Sequence, residues 1–139
     1  MPLVRISLRA GTSPADQRAI ADGVHEAMVS AIGIPAKDRF QIIDERPAES
    51  MIFDPSYLGV HRQSVVCVQI TLARGRPAEL KQSLYRAVAD NLEKTGVRRE
   101  DVFTVLYETG REDWSVGNGE AQLLDEELLK RHGWTPPAR

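Results

Sequence analysis

Cysteine is nearly absent: Cys67 is the one cysteine in 139 residues. A single cysteine cannot close an internal disulfide, so the fold must rest on its core. Cys67 lies in an apolar run with no electropositive neighbour in sequence, which reads as a buried strand residue and not a nucleophile. Histidine is scarce too, and His25, His61 and His132 share no ligand spacing, so no metal site is predicted. Formal net charge is only −2, and no aromatic side chains interleave with the arginines. Together these exclude a nucleic-acid binder and a polybasic membrane anchor. No run is long enough to span a bilayer, and the chain opens on an alternating strand where a secretory leader would have an apolar core. A cytoplasmic protein with neither a membrane partner nor a nucleic-acid partner is expected.

What is present is two similar halves. Leu3 to Leu8 alternates as a strand, with Val4, Ile6 and Leu8 on one face. Ser13-Pro14 caps a helix, Asp16 adds a capping-box spacing, and Ile20, Val24, Ala27, Met28 and Ala31 recur at helical period up to Gly33. Phe40 to Asp44 reads as strand two. The pattern then returns: strand Val65 to Leu72, a helix from Pro77 with the stripe Leu80, Leu84, Ala87, Val88 and Leu92, a stop at Gly96, and strand Val102 to Tyr107. Ile6-Ser7-Leu8 matches Ile70-Thr71-Leu72, Gly33-Ile34 matches Gly96-Val97, Asp38 matches Asp101, and Glu45 matches Glu108. The register shifts by one residue in the loop before the helix.

Such a repeat predicts two fused β-α-β units, at about 2–46 and 65–108, in one domain spanning 1–139 with a C-terminal extension over 110–139. Right-handed crossovers put both helices on one face of a four-stranded mixed sheet, an α/β chain folded as an α+β two-layer sandwich. The opposite face is left bare, and strand Val65 to Leu72 is apolar on both faces, so a symmetric homo-oligomer is predicted. Residues 46–64 form a long connection with room for a short hairpin. The extension carries a helical pattern at Leu123, Leu124 and Leu128, and Trp134 to Arg139 is expected to be loosely held.

Four features could carry chemistry. Removal of Met1 would expose the nitrogen of Pro2 as a secondary amine, able to act as acid, base or iminium-forming nucleophile; with Met1 retained that nitrogen is an amide. Arg74 and Arg76 flank Gly75 between a strand and a helix, which suits a carboxylate site or simply a solvated basic loop. Asp38 begins strand two, as a turn residue or as a polar partner of the proline. Trp114, in Trp114-Ser115-Val116-Gly117-Asn118-Gly119, anchors a loop or walls a pocket; the glycines lack the spacing and the lysine of a phosphate loop.

Taken together, Met1-Pro2-Leu3, Pro35-Ala36-Lys37-Asp38-Arg39-Phe40-Gln41, Arg74-Gly75-Arg76 and Asp113-Trp114-Ser115-Val116-Gly117 resemble the tautomerase superfamily, and within it the malonate semialdehyde decarboxylase family. The resemblance runs nearly the whole chain, to about Leu128. It implies that Pro2 is the catalytic amine, that Arg74 and Arg76 hold the substrate carboxylate, and that Asp38 is the polar partner near Pro2. It also implies that Trp114, Val116, Leu123 and Leu128 form an apolar wall. Val116 and Leu123 stand where the family often has phenylalanine, which alters the pocket's shape. A homotrimer without metal or organic cofactor is implied, acting on a small carboxylate-bearing substrate. Decarboxylation of a small 3-oxo acid such as malonate semialdehyde is the leading reading. Tautomerase, hydratase or dehalogenase chemistry would use the same parts, and a non-catalytic oligomeric binding protein is the alternative from another class.

Overall fold

The computed structural model describes residues 2–134. In chain order it holds β1 (Pro2–Arg9), α1 (Pro14–Ile32), β2 (Gln41–Arg46), β3 (Val66–Ala73), α2 (Ala78–Glu93), β4 (Val102–Thr109) and a short α3 (Glu126–Arg131). The sheet order is β2-β1-β3-β4. β1 pairs parallel with β2 and β3 parallel with β4, while β1 and β3 run antiparallel at the centre. This is the mixed sheet of two β-α-β units, with both helices on one face.

The strand registers carry the repeat. Ile6 pairs with Ile43, and its counterpart Ile70 pairs with Leu106. Arg5 pairs with Gln69, its own counterpart, so the pseudo-twofold axis passes through that pair. Val4, Ile6, Leu8, Val68, Ile70 and Leu72 turn toward the helices and meet Ile20, Val24 and Met28 of α1 and Leu84, Val88 and Leu92 of α2, all buried. Burying each such side chain contributes roughly 1.5–3 kcal/mol. The helices approach closely at Gly23, where a Cβ would lie 3.3 Å from Asn91 Cβ, and Asn91 Nδ2 donates to Gly23 O at 2.9 Å.

Local signals place the helix starts. Ser13 Oγ accepts from Asp16 N at 3.1 Å with Pro14 as the first helical residue. Pro77, by contrast, is the cap of α2 and not its first residue. Leu80, expected in the buried stripe, is 39% exposed because it sits on the first turn, before α2 crosses the core. β2 begins at Gln41, one residue after Phe40, and ends at Arg46.

Other expectations are corrected. Residues 47–65 form no hairpin: the connection holds two 3-10 turns, Ala48–Ser50 and Tyr57–Gly59. Its polar groups are satisfied locally, since Asp54 Oδ1 accepts from Ser56 N and the Arg62 guanidinium donates to Tyr57 O and Val60 O. Pro47 and Pro55 also lack the N–H a ladder needs. Cys67 is only half-buried, because it points to the open sheet face; burial still pushes its thiol pKa up. Trp134 is not loose: its side chain is buried and its N–H donates to Leu129 O at 2.9 Å. The rest of that tail, 135–139, lies outside the described residues, as does Met1.

Candidate active site

Pro2 is the first residue of β1, paired with Leu72 near the end of β3, and its side chain is buried. Lacking an N–H, it fits only where the ladder asks for no donor, as at a strand's first position. It lines a cavity of about 220 Å³ with Leu3, Phe40, Trp114, Ser115 and Val116. Phe40 reaches this cavity because its carbonyl accepts from Val4 N at 2.9 Å, which ties the approach to β2 against the start of β1.

The Trp114 wall is built on the ends of β3 and β4. Trp114 Nε1 donates to Thr109 Oγ1 at 2.6 Å, and Thr109 Oγ1 donates to Leu72 O at 3.3 Å. Gln122 then clamps the following segment, accepting from Val116 N at 2.9 Å and donating to Gly117 O at 2.6 Å. A bare glycine-rich loop could not hold Val116 in place; the amide of Gln122 supplies both missing partners.

Asp38 is buried, in a turn closed by its own N–H donating to Pro35 O at 2.9 Å. Buried His25 of α1 holds the same turn, its Nε2 donating to Ala36 O at 2.8 Å. That bond puts the proton on Nε2. Burial raises the pKa of Asp38 above its usual value, and neighbouring positive charge, that of His25 and Arg76 included, works against the rise. The matching Asp101 serves a structural end: its Oδ1 accepts from Gln63 N at 2.9 Å, just ahead of β3.

Arg74 and Arg76 separate in environment. Gly75 between them has φ +133°, a conformation L side chains rarely adopt. The turn leaves Arg74 exposed, its backbone N–H bonded to Thr109 O at 2.8 Å, and leaves Arg76 half-buried. Arg76 Nη1 donates to Ala73 O at 3.1 Å, folding the guanidinium back over the end of β3. Burial lowers its pKa from the ordinary arginine value; Glu108 and Asp38 act in the opposite direction. An arginine so held, with a fork still offered, can take a carboxylate.

The structure therefore brings Pro2, Trp114 and Val116 to one cavity and puts Asp38 and Arg76 in each other's field. Asp38, Arg74 and Arg76 do not line that cavity. Leu123 is buried and Leu128 half-buried on α3, and neither lines it. Phe40, Thr109, Gln122 and His25 were not singled out from the sequence. Phe40 alone had a signal, as part of the Pro35–Gln41 run. A larger cavity, about 520 Å³, shares no lining residue with the first; it lies between the open sheet face, at Ser7, Cys67 and Phe103, and the 47–65 connection. Among the described residues no group of three His, Cys, Asp or Glu side chains could hold a metal ion. None of the described helices is long and apolar enough to cross a membrane.

Two family models, each described as tautomerase enzyme, match residues 38–117 and 2–61. Over 127 residues the chain is 38% identical to the protein named "Probable tautomerase YusQ" of Bacillus subtilis (strain 168), covering 90% of this chain and all of that one. Among solved structures, it resembles FG41 malonate semialdehyde decarboxylase inhibited by 3-bromopropiolate, with TM-score 0.85 and 40% identity over 90% of this chain and 96% of that one. A second malonate semialdehyde decarboxylase, described with decarboxylase and hydratase activities, matches with TM-score 0.83 and 32% identity over 90% and 98% of the two chains. A fused 4-OT solved as a symmetric trimer matches with TM-score 0.74 and 27% identity over 88% and 98%.

Proposed function

The chain belongs to the tautomerase family, and from that premise we propose that it is a decarboxylase of a small 3-oxo acid, of the malonate semialdehyde type, working through the amine of Pro2. The observation that carries this reading is the cavity shared by Pro2, Trp114 and Val116, together with the electrostatic coupling of Asp38 to Arg76. The likeness to two malonate semialdehyde decarboxylases supports the substrate class.

In this reading Met1 is removed and Pro2 carries an ammonium. Arg76, with Arg74 at the rim, holds the substrate carboxylate. The Pro2 ammonium donates a hydrogen bond to the 3-oxo oxygen. The bond between the carboxylate carbon and C2 breaks, its electrons form a C2–C3 double bond, the carbonyl π electrons move onto oxygen and take the Pro2 proton to give an enol, and carbon dioxide leaves. A proton from solvent adds to C2 while the enol O–H proton returns to Pro2, which leaves the aldehyde and the ammonium restored. The apolar wall of Trp114, Val116 and the underlying Leu123 and Leu128 disfavours the charged ground state, and the arginines hold the breaking bond at a productive angle. Asp38, with its raised pKa, is the polar partner that keeps the Pro2 proton in place. The same polarising amine could add water to an activated alkene, which gives hydratase activity as a side reaction. The exposed apolar residues of the open face, and the trimeric 4-OT relative, support a homotrimer.

A second reading, a tautomerase on another small oxo acid, is favoured by the naming of the Bacillus relatives. Turnover of malonate semialdehyde and of an enol-forming 2-oxo acid, side by side, decides between them. For the proline chemistry, Pro2→Ala and a chain with Met1 retained should each lose about 10²–10⁴-fold in kcat. Full activity in both would overturn the mechanism, and a borohydride-trapped adduct would replace the hydrogen-bonded form with an iminium.

A further inference from the structure

Three charged side chains meet on the helix side of the sheet at the ends of β3 and β4. The β3–β4 register pairs Leu72 with Glu108 and Ala73 with Thr109. Arg76 folds back onto Ala73 O, and the Glu108 carboxylate acts on its guanidinium as a neighbouring negative charge without an ion pair between them. Lys81, on the first turn of α2, reaches the same carboxylate, with Nζ 2.5 Å from Glu108 Oε1. Both partners are about a quarter to a third exposed, 26% and 31%. Among the described residues Glu108 forms its ion pair with Lys81 and with no other side chain.

The other half of the repeat provides a comparison. Glu45, the counterpart of Glu108, accepts from Gln17 Nε2 at 2.6 Å. A neutral amide therefore makes the same join between helix and strand where no arginine follows the glycine of the turn: Gly11 is followed by Thr12 and Ser13. A cation replaces the amide only in the half where Arg76 stands beside the glutamate. Joining α2 to β4 does not by itself require a positive charge.

We propose that Lys81 is a positioning residue for Arg76: by occupying Glu108 it stops that carboxylate from closing on the guanidinium and so keeps the fork of Arg76 open to the substrate carboxylate. This rests on reading Arg76 as the carboxylate-holding group. Without Lys81, Glu108 would stand as an unpaired anion in the field of Arg76, held by the same sheet at high effective concentration, and it would compete with any carboxylate arriving from solution.

The test is a two-residue cycle read by binding of malonate, a stable dicarboxylate probe, to the processed full-length protein by calorimetry, with KM and kcat measured beside it. Lys81→Met should weaken malonate binding about tenfold, the size of one charged hydrogen bond, and should raise KM more than it lowers kcat. Adding Glu108→Gln to Lys81→Met should restore affinity to within about threefold of wild type, since the competing anion is gone; Lys81→Arg should bind like wild type. A purely structural ion pair gives the opposite pattern, because deleting its second half restores nothing. Unchanged affinity in Lys81→Met, or no rescue in the double variant while circular dichroism shows both folded, overturns the proposal and leaves the Arg76 reading standing. Malonate binding that survives Arg76→Gln intact, or that wild type lacks, overturns the Arg76 reading and the proposal with it.

Discussion

Trp114 hangs from Thr109. The indole N–H donates to a threonine hydroxyl whose own hydrogen goes to Leu72 O, the residue paired with Pro2. One chain of hydrogen bonds thus ties the wall of the cavity to the strand that positions its floor. The hydroxyl accepts from the indole through a lone pair and gives its one hydrogen to the carbonyl, so the two bonds together fix one rotamer.

Thr109→Val keeps the shape of the side chain and removes both bonds. The indole N–H then lies half-buried without its partner. Stability should fall by about 1–2 kcal/mol, read by urea unfolding. Turnover should fall with it, through KM, as the wall loosens. Thr109→Ser, which keeps the hydroxyl, should recover most of both. Equal behaviour of the valine and serine variants would show that the hydroxyl does not hold the wall.

The Gln122 clamp acts on the same wall from the other side. Gln122→Ala frees Val116 N and Gly117 O to water, at a cost of about 1 kcal/mol. The amide of Val116 should then exchange its hydrogen faster, with little change at core amides such as that of Val68. Unaltered exchange at Val116 would mean the loop is held by its packing alone.

Asp38 gives a pH-dependent prediction with a defined sign. Its pKa is raised in the folded protein by burial, so the native state binds the proton more tightly than the unfolded chain does. The stability this group contributes is present below its unfolded pKa and is lost as pH rises through its folded value. Asp38→Asn mimics the protonated form and should therefore melt higher than wild type at pH 7. The gap should narrow as pH falls through the raised pKa of Asp38, where wild type takes up the proton. Activity should drop despite the gain, as expected where a destabilising group serves a site. A lower Tm for Asp38→Asn at pH 7 would show that the carboxylate is a net stabiliser in its charged form.

The sequence made the repeat legible because its matched residues have mechanical duties. Gly33 and Gly96 follow helices, Ile6 and Ile70 face the helices, and Asp38 and Asp101 precede strands. Composition leaves such positions little latitude, so the topology and the bare face could be read directly. The division of labour between Arg74 and Arg76 could not. It is decided by the backbone at Gly75, which throws one arginine outward and folds the other back. Thr109 was equally silent, since a strand-end threonine looks the same whether or not an indole docks on it. As wall residues Leu123 and Leu128 came only by resemblance, and neither reaches the cavity that Pro2 lines.

The open face supplies the last prediction. Leu3, Ile42, Phe103 and Tyr107 stand there with 40%, 41%, 48% and 48% of their surface exposed. On the connection beside it, Ile52 is 94% and Leu58 83% exposed. A monomer rarely exposes so many large apolar side chains on one face. In a symmetric trimer this face would be covered, and with it Phe103, a side chain that also lines the 520 Å³ cavity. Phe103→Asp would place an unpaired carboxylate against apolar surface, at a cost of several kcal/mol per interface. By sedimentation, wild type should run at three times the 15.5 kDa chain, and the variant should shift to the single chain while keeping its far-ultraviolet circular dichroism. The exposed positions Glu26 and Arg86, on the helix side, offer a control, because a charge change there should leave the assembly intact. A wild type that sediments as one chain at micromolar concentration would end the trimer reading, and the exposed face would then need another cover.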